Sequence, residues 1–264
     1  MNDLAAAFAG GKAFIAFIIC GDPDLETTAA CVRAAAENGA DIIELGIPFY
    51  HPTSEGPEVQ SANVRALRGG VRVDQIFALL KDLRAEVAAP FVLRAYANVV
   101  FSYGIERFAA ACAEAGVSGL VLTDVPFEEK EEFAAPCRAC GVSLISVVTP
   151  ASRGRIGRIA REAEGFLYAA AGRGEEGGLS SVIEEAKQVC PVPCAVWADI
   201  AAPAGAKALC GAEDGIAADT QIVRIAAKYG KQAPAHIGNF VKDTGKDLFI
   251  RINWKQNQKQ NKWV

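Results

Sequence analysis

A chain of 264 residues, 51% apolar and 22% charged, has the make-up of a globular protein with ample core, which excludes general disorder. A net charge of −4 with no basic stripe in the body of the chain excludes an electrostatic footprint for nucleic acid. No run approaches the roughly eighteen apolar residues of a membrane span, and the acidic start at Asp3 is unlike a secretory signal, so the expected compartment is the cytoplasm.

In chain order, short β-rich runs alternate with amphipathic helical stretches. Strands are predicted at Ala13–Cys20, Asp41–Pro48, Pro90–Ala97, Gly119–Val125, Val142–Thr149, Phe166–Ala171, Pro193–Asp199 and Asp214–Ala218. Helical runs between them include Leu25–Asn38, Val73–Val87, Ile105–Ala115, Ser152–Glu164 and Leu179–Val189, and a last helix is predicted from Gln221 to about Lys246. Gly39, Gly116, Gly141, Gly165 and Gly211 each stand just before a strand, where a helix-ending glycine belongs.

The strands are nearly continuous apolar runs, as parallel strands buried on both faces should be. Eight such units without a break in composition predict an α/β fold, a single (β/α)₈ TIM barrel over residues 1–246 with a short N-terminal helix. An open doubly wound sheet is the alternative, but the first turn, Cys20-Gly21-Asp22-Pro23-Asp24, lacks its Gly-x-Gly-x-x-Gly signature. Residues 247–264 are amide-rich and basic without helical spacing, and are expected to form a poorly ordered extension.

Eight cysteines allow a metal or redox reading, mainly through Cys137-x-x-Cys140 and Cys190-x-x-x-Cys194. Two histidines, His51 and His236, are far from both pairs in sequence, so the cysteines read better as small apolar fillers. No metal and no cofactor is expected.

In a barrel of this kind polar side chains at the C-terminal ends of strands point into the mouth. Glu44 is a carboxylate inside the apolar run Asp41–Pro48. Burial there would push it toward a general acid–base pKa, or else require an ion-pair partner. Glu55, in the following loop, supplies a second carboxylate suited to proton transfer over the same mouth.

Several blocks carry a family resemblance: Cys20-Gly21-Asp22-Pro23, the run Gly39-Ala40-Asp41-Ile42-Ile43-Glu44-Leu45-Gly46-Ile47-Pro48-Phe49, and Glu55-Gly56-Pro57. Ala95-Tyr96-Ala97-Asn98-Val99-Val100-Phe101 and Gly119-Leu120-Val121-Leu122-Thr123-Asp124-Val125-Pro126 extend it. Together they closely resemble the tryptophan synthase alpha subunit family, through about residue 245. The resemblance implies retro-aldol cleavage of indole-3-glycerol phosphate to indole and glyceraldehyde 3-phosphate. It implies that Glu44 protonates the indole ring carbon, that Glu55 stands where the family has an Asp bonding the indole N–H, and that Tyr96 and Tyr168 line the substrate pocket. It also implies a phosphate site on backbone N–H groups at Gly177 and at the ends of the last two strands, and a tryptophan synthase beta subunit as partner.

The chain departs from the family at several places. Glu55 replaces Asp, moving the carboxylate by about 1.5 Å, a displacement that can cost on the order of 10²-fold in rate. Asp199 and Asp219 stand where the family has phosphate-binding glycines, and a unit charge at 4 Å repels another by about 4 kcal/mol at an effective dielectric near 20. Thr220 keeps a hydroxyl where the family has Ser. Glu175 and Glu176 make the strand-6 loop more acidic, and Tyr50-His51 replaces Ser-Asp in the loop facing the beta subunit. These departures leave two further readings open: a lyase for an unphosphorylated or cationic ligand, and a non-catalytic binding subunit.

Overall fold

The structure, a computed structural model, describes residues 3–171, 178–197, 211 and 213–245. Its eight strands are β1 (Ala13–Ile19), β2 (Ile42–Gly46), β3 (Phe91–Ala95), β4 (Val117–Leu122), β5 (Ser143–Val148), β6 (Leu167–Ala170), β7 (Cys194–Trp197) and β8 (Gly215–Ala218). All pair in parallel and in sequence order, and β8 pairs back to β1, so the barrel is closed. The helices are α1 (Asp3–Ala7), α2 (Leu25–Glu37), α3 (Pro57–Arg68), α4 (Val73–Arg84), α5 (Ala97–Tyr103), α6 (Ile105–Glu114), α7 (Glu131–Ala139), α8 (Ile156–Arg161), α9 (Leu179–Lys187), α10 (Thr220–Tyr229) and α11 (233–245). None of the described helices is long and apolar enough to cross a membrane.

The barrel predicted from periodicity is therefore present, with local differences at the ends of elements. Strand β4 stops at Leu122 rather than Val125, because Asp124 turns out to accept the Ala97 N–H at 2.9 Å and tie down the start of α5. The helix predicted over Ser152–Glu164 begins only at Ile156, after a left-handed turn at Gly154, φ 76°. The last helix breaks into α10 and α11 at Gly230, φ 51°, which an L side chain would resist. The extension predicted over 247–264 lies outside the described residues.

Side chains alternate between the two faces of each strand, and here both faces are dry. Outward-facing Ile43, Leu45, Leu93 and Leu120 pack under the helices. Inward-facing Ile15, Ile42, Val92, Val121 and Ile145 fill the barrel axis, and Leu4 and Phe8 seal the end from which the strands start. The same alternation carries polar groups up the axis toward the other end. Two residues beyond Ile42 comes Glu44; two beyond Val92 comes Arg94.

Gly46, next inward position on β2, makes room for this layer. A Cβ there would lie 2.6 Å from Ile19 Cδ1 and 2.8 Å from Phe17 Cζ, so only glycine lets the Phe17 ring sit where it does. Gly46→Ala should lower stability by about 1–3 kcal/mol through overpacking, read as a shifted urea midpoint at unchanged slope.

Candidate active site

Side chains from β1, β2 and β7, from the loop after β2 and from the residue after β8 converge on one buried cation of β3. Arg94 is 2% exposed, with its guanidinium held between two aromatic faces, 3.9 Å from the Phe17 centroid and 3.8 Å from that of Trp197. Its Nε donates to Glu44 Oε1 at 2.6 Å. Its Nη1 reaches Glu55 Oε1 and Oε2 at 3.4 and 3.5 Å and lies 3.7 Å from Asp219 Oδ2. Nη2 makes no hydrogen bond among the described residues.

Three carboxylates thus face one guanidinium. Burial works against the Arg94 charge, but Glu44, Glu55 and Asp219 outweigh it and hold its pKa above the ordinary value. Glu44 is wholly buried, and its second oxygen accepts from the Tyr168 hydroxyl at 2.6 Å. Burial, then the adjacent Glu44, keeps the Tyr168 phenol well above its usual pKa, so it remains a donor. Both oxygens of Glu44 therefore have fixed partners.

Glu55 has a different setting. Burial pushes its carboxyl up; Arg94 opposes this, while Asp219 and Glu44 add to the rise. Its loop is anchored on both sides. Gln60 Nε2 donates to the Glu55 carbonyl at 2.8 Å, and Ser54 donates through its N–H to Tyr96 Oη at 3.4 Å and through Oγ to the Thr123 carbonyl at 3.3 Å. Tyr96 in turn stacks on Phe49 at 4.9 Å. Pro57 then starts α3 at the position where its missing N–H costs nothing.

Asp219 closes the opposite side. Its Oδ1 accepts from the Thr220 N–H at 2.5 Å and from Thr220 Oγ1 at 3.1 Å, and its Oδ2 accepts from Trp197 Nε1 at 2.5 Å. The first N–H of α10 is thereby capped from within the chain.

A cavity of about 450 Å³ opens above this layer, with Glu55, Thr123, Thr149, Trp197, Asp219 and Thr220 in its wall. Of the residues expected to form the site, Glu55 and Thr220 line the cavity. Glu44 and Tyr168 lie one layer beneath it, and Tyr96 supports the Glu55 loop from the side. Gly177, Asp199, Glu175 and Glu176 lie outside the described residues. Sequence reasoning missed Arg94 and Trp197. Arg94 interrupts the apolar run Phe91-Val92-Leu93 in the way Glu44 interrupts its own; the register sets Arg94 beside Gly46, which has no side chain, and leaves its guanidinium to reach Glu44 diagonally.

The model of the family described as tryptophan synthase alpha chain matches residues 5–245. The chain belongs to this family. The tryptophan synthase alpha chain of Lacticaseibacillus casei is 40% identical over 92% of this chain and 94% of its own length. That of Citrifermentans bemidjiense is 37% identical over 88% and 90%. Among solved structures, tryptophan synthase subunit alpha from Legionella pneumophila aligns with a TM-score of 0.87 at 27% identity, covering 94% of this chain and 98% of that one. A chain of the Pyrococcus furiosus tryptophan synthase complex aligns at 0.83 and 25% identity, covering 89% and 98%.

Elsewhere in this alpha-chain barrel five of the described cysteines, Cys20, Cys31, Cys112, Cys137 and Cys194, are buried among apolar side chains. Cys20, Cys31 and Cys194 are buried with thiols pushed up to about 12 by burial, far from the reactive thiolate range. No group of three or more His, Cys, Asp or Glu that could hold a metal ion occurs among the described residues. Tyr50 projects from the loop after β2, 68% exposed, with His51 edge-on at 4.7 Å.

The raised Glu55 pKa has a consequence for stability. The folded state keeps the Glu55 proton above the pH at which the unfolded chain releases it, so this group's contribution falls as pH rises beyond the ordinary value of 4.5. Glu55→Gln, with Glu44 still facing Arg94, should therefore be more stable than the parent at pH 7. Thermal melts across pH should show the gain vanishing below about pH 4.5.

Proposed function

We propose that this alpha chain is a carbon–carbon lyase of tryptophan biosynthesis that cleaves indole-3-glycerol phosphate to indole and glyceraldehyde 3-phosphate. The observation that carries the reading is the pairing of Glu44 and Glu55 on one guanidinium directly beneath a cavity at the C-terminal ends of the strands. Retro-aldol cleavage needs one proton delivered to the indole ring carbon and one removed from the neighbouring hydroxyl. A carboxylate pair held in a dry, preorganised layer suits both transfers.

In this reading the indole lies against the cavity wall formed by Glu55, Thr123 and Trp197 and Thr220 faces the phosphate end, while Gly177, outside the described residues, is kept as a phosphate-binding candidate by family resemblance. Tyr96 and Tyr168 set the geometry of the two carboxylates. The barrel over residues 1–246 works in the cytoplasm and has a tryptophan synthase beta subunit as partner. The exposed Tyr50 and His51 place more bulk and less negative charge at the loop where that partner is expected.

The measurement is indole release from indole-3-glycerol phosphate, alone and with a beta subunit. Release should occur, and Glu44→Gln should reduce it by at least about 10²-fold. Absence of indole in both runs would reject the reading.

One observation favours a second reading. Asp219 caps α10 and adds a negative charge to the cavity wall, which suits an unphosphorylated or cationic ligand, or a binding subunit, better than a phosphate. If the substrate is phosphorylated, Asp219→Gly should lower its KM, by up to about 10³-fold for a charge near 4 Å. A KM that is unchanged or raised would favour the second reading.

A further inference from the structure

A second cavity, of about 220 Å³, lies beside the first, between the ends of β4 and β5 and the segments that follow them. Thr123, Val147 and Thr149 stand in the walls of both, so the two share a boundary. Their charges are opposite. Among the described residues, the charged side chains in the wall of the larger cavity are Glu55 and Asp219, and those in the wall of the smaller are Lys130 and Arg155.

The two cations are held in place without being neutralised inside the cavity. Lys130 Nζ lies 4.3 Å from the Phe127 ring centroid and 3.2 Å from Glu162. Arg155 pairs with Glu128 at 3.1 Å, and Arg158 adds a third cation, 5.3 Å from the Phe127 centroid and 4.0 Å from Glu162. Three cations thus share two carboxylates in these pairs, and both carboxylates are about half exposed and outside the cavity wall. Exposed pairs of this kind contribute little, so an entering anion can replace either partner.

The wall also offers hydroxyl donors. Ser152 Oγ accepts the Thr149 N–H at 3.1 Å, and the Thr149 and Ser152 hydroxyls lie 3.4 Å apart. Whichever of the two donates to the other, one O–H proton is left for a ligand. The volume is below the roughly 300–1,000 Å³ of a site that encloses a whole small molecule, and so suits one acid group.

We propose that this smaller cavity is an anion subsite for a phosphate group, held by Lys130, Arg155 and the Thr149–Ser152 hydroxyl pair and separate from the α10 end. The inference goes beyond the lyase reading and stands without it. The phosphate is either a free ion or the acid end of a molecule whose remainder reaches past Thr123 and Thr149 into the larger cavity. In both cases it gains from two cations and meets no carboxylate in the wall.

The test is a titration of the full chain with inorganic phosphate, at an ionic strength held constant with chloride, followed through amide NMR shifts. Saturable shifts should appear at Thr149 and Ser152. Lys130→Gln and Arg155→Gln should each weaken binding by about fivefold or more, the loss of a unit charge near 4 Å at the dielectric of water. Amide shifts elsewhere that match the parent's show that each variant is folded. Arg161→Gln removes the same charge from an exposed position on α8, outside the cavity wall, and should leave the affinity unchanged.

Glycerol 3-phosphate identifies the source of the group. Tighter binding than inorganic phosphate, with added shifts at Glu55 and Thr220, would assign the acid end of a larger ligand. Equal affinity, with shifts confined to the smaller cavity, would assign the free ion. No saturable shift at Thr149 and Ser152, shifts confined to Thr220, or an equal loss in Arg161→Gln would overturn the proposal.

Discussion

The site is organised around a guanidinium buried in the barrel interior. Arg94 keeps its charge in the barrel interior because two aromatic faces and three carboxylates replace solvent on different sides of it. Taking one ion out of water costs several kcal/mol even after relaxation. Removal of the cation alone would therefore leave Glu44, Glu55 and Asp219 as buried charges of one sign. The arrangement gives a fixed geometry more than it gives net stability, since an apolar core of the same volume is often as stable as a buried ion pair. Gly46, Phe17 and Trp197 follow from this constraint: the ring on β1 needs the missing Cβ on β2, and the indole on β7 is anchored through Asp219.

The same constraint gives the two glutamates different settings. Glu44 is held by two short bonds in the buried layer, while Glu55 has longer contacts to Arg94 and faces the cavity. Moving the loop carboxylate outward by one methylene, as Glu55 does relative to Asp, lets the chain span the distance to a cation that also binds Glu44. The longer side chain and the buried arginine are therefore parts of one solution.

Much of this was legible in the sequence. Eight apolar runs with helical spacers fix a parallel barrel because the period-2 pattern disappears when both faces are buried, and the strand positions follow within a few residues. The ends were less legible because tertiary bonds decide them: Asp124 ends β4 by capping α5, and Gly230 breaks a helix whose apolar spacing continues across it. Glu44 was readable as a charge inside a strand. Arg94 was not read, although it satisfies the same rule, because an arginine's long stem is usually explained by reaching out to water. Its inward direction comes from the alternation with Val92, and its three-carboxylate environment comes from chain segments up to 125 residues apart in sequence.

Asp219 shows how the scaffold can alter ligand chemistry without altering fold. The N-terminus of a helix at the mouth of a barrel is an anion site because its first N–H groups have no partner. An aspartate at the cap position satisfies one of them at 2.5 Å and reverses the sign of the local field, while β8 and α10 stay where the barrel requires them. Its second oxygen is committed to Trp197, whose ring covers Arg94. The cap and the buried cation are thus mechanically linked, so that a change in what binds at the α10 end would be felt at Arg94, and through Arg94 at both glutamates.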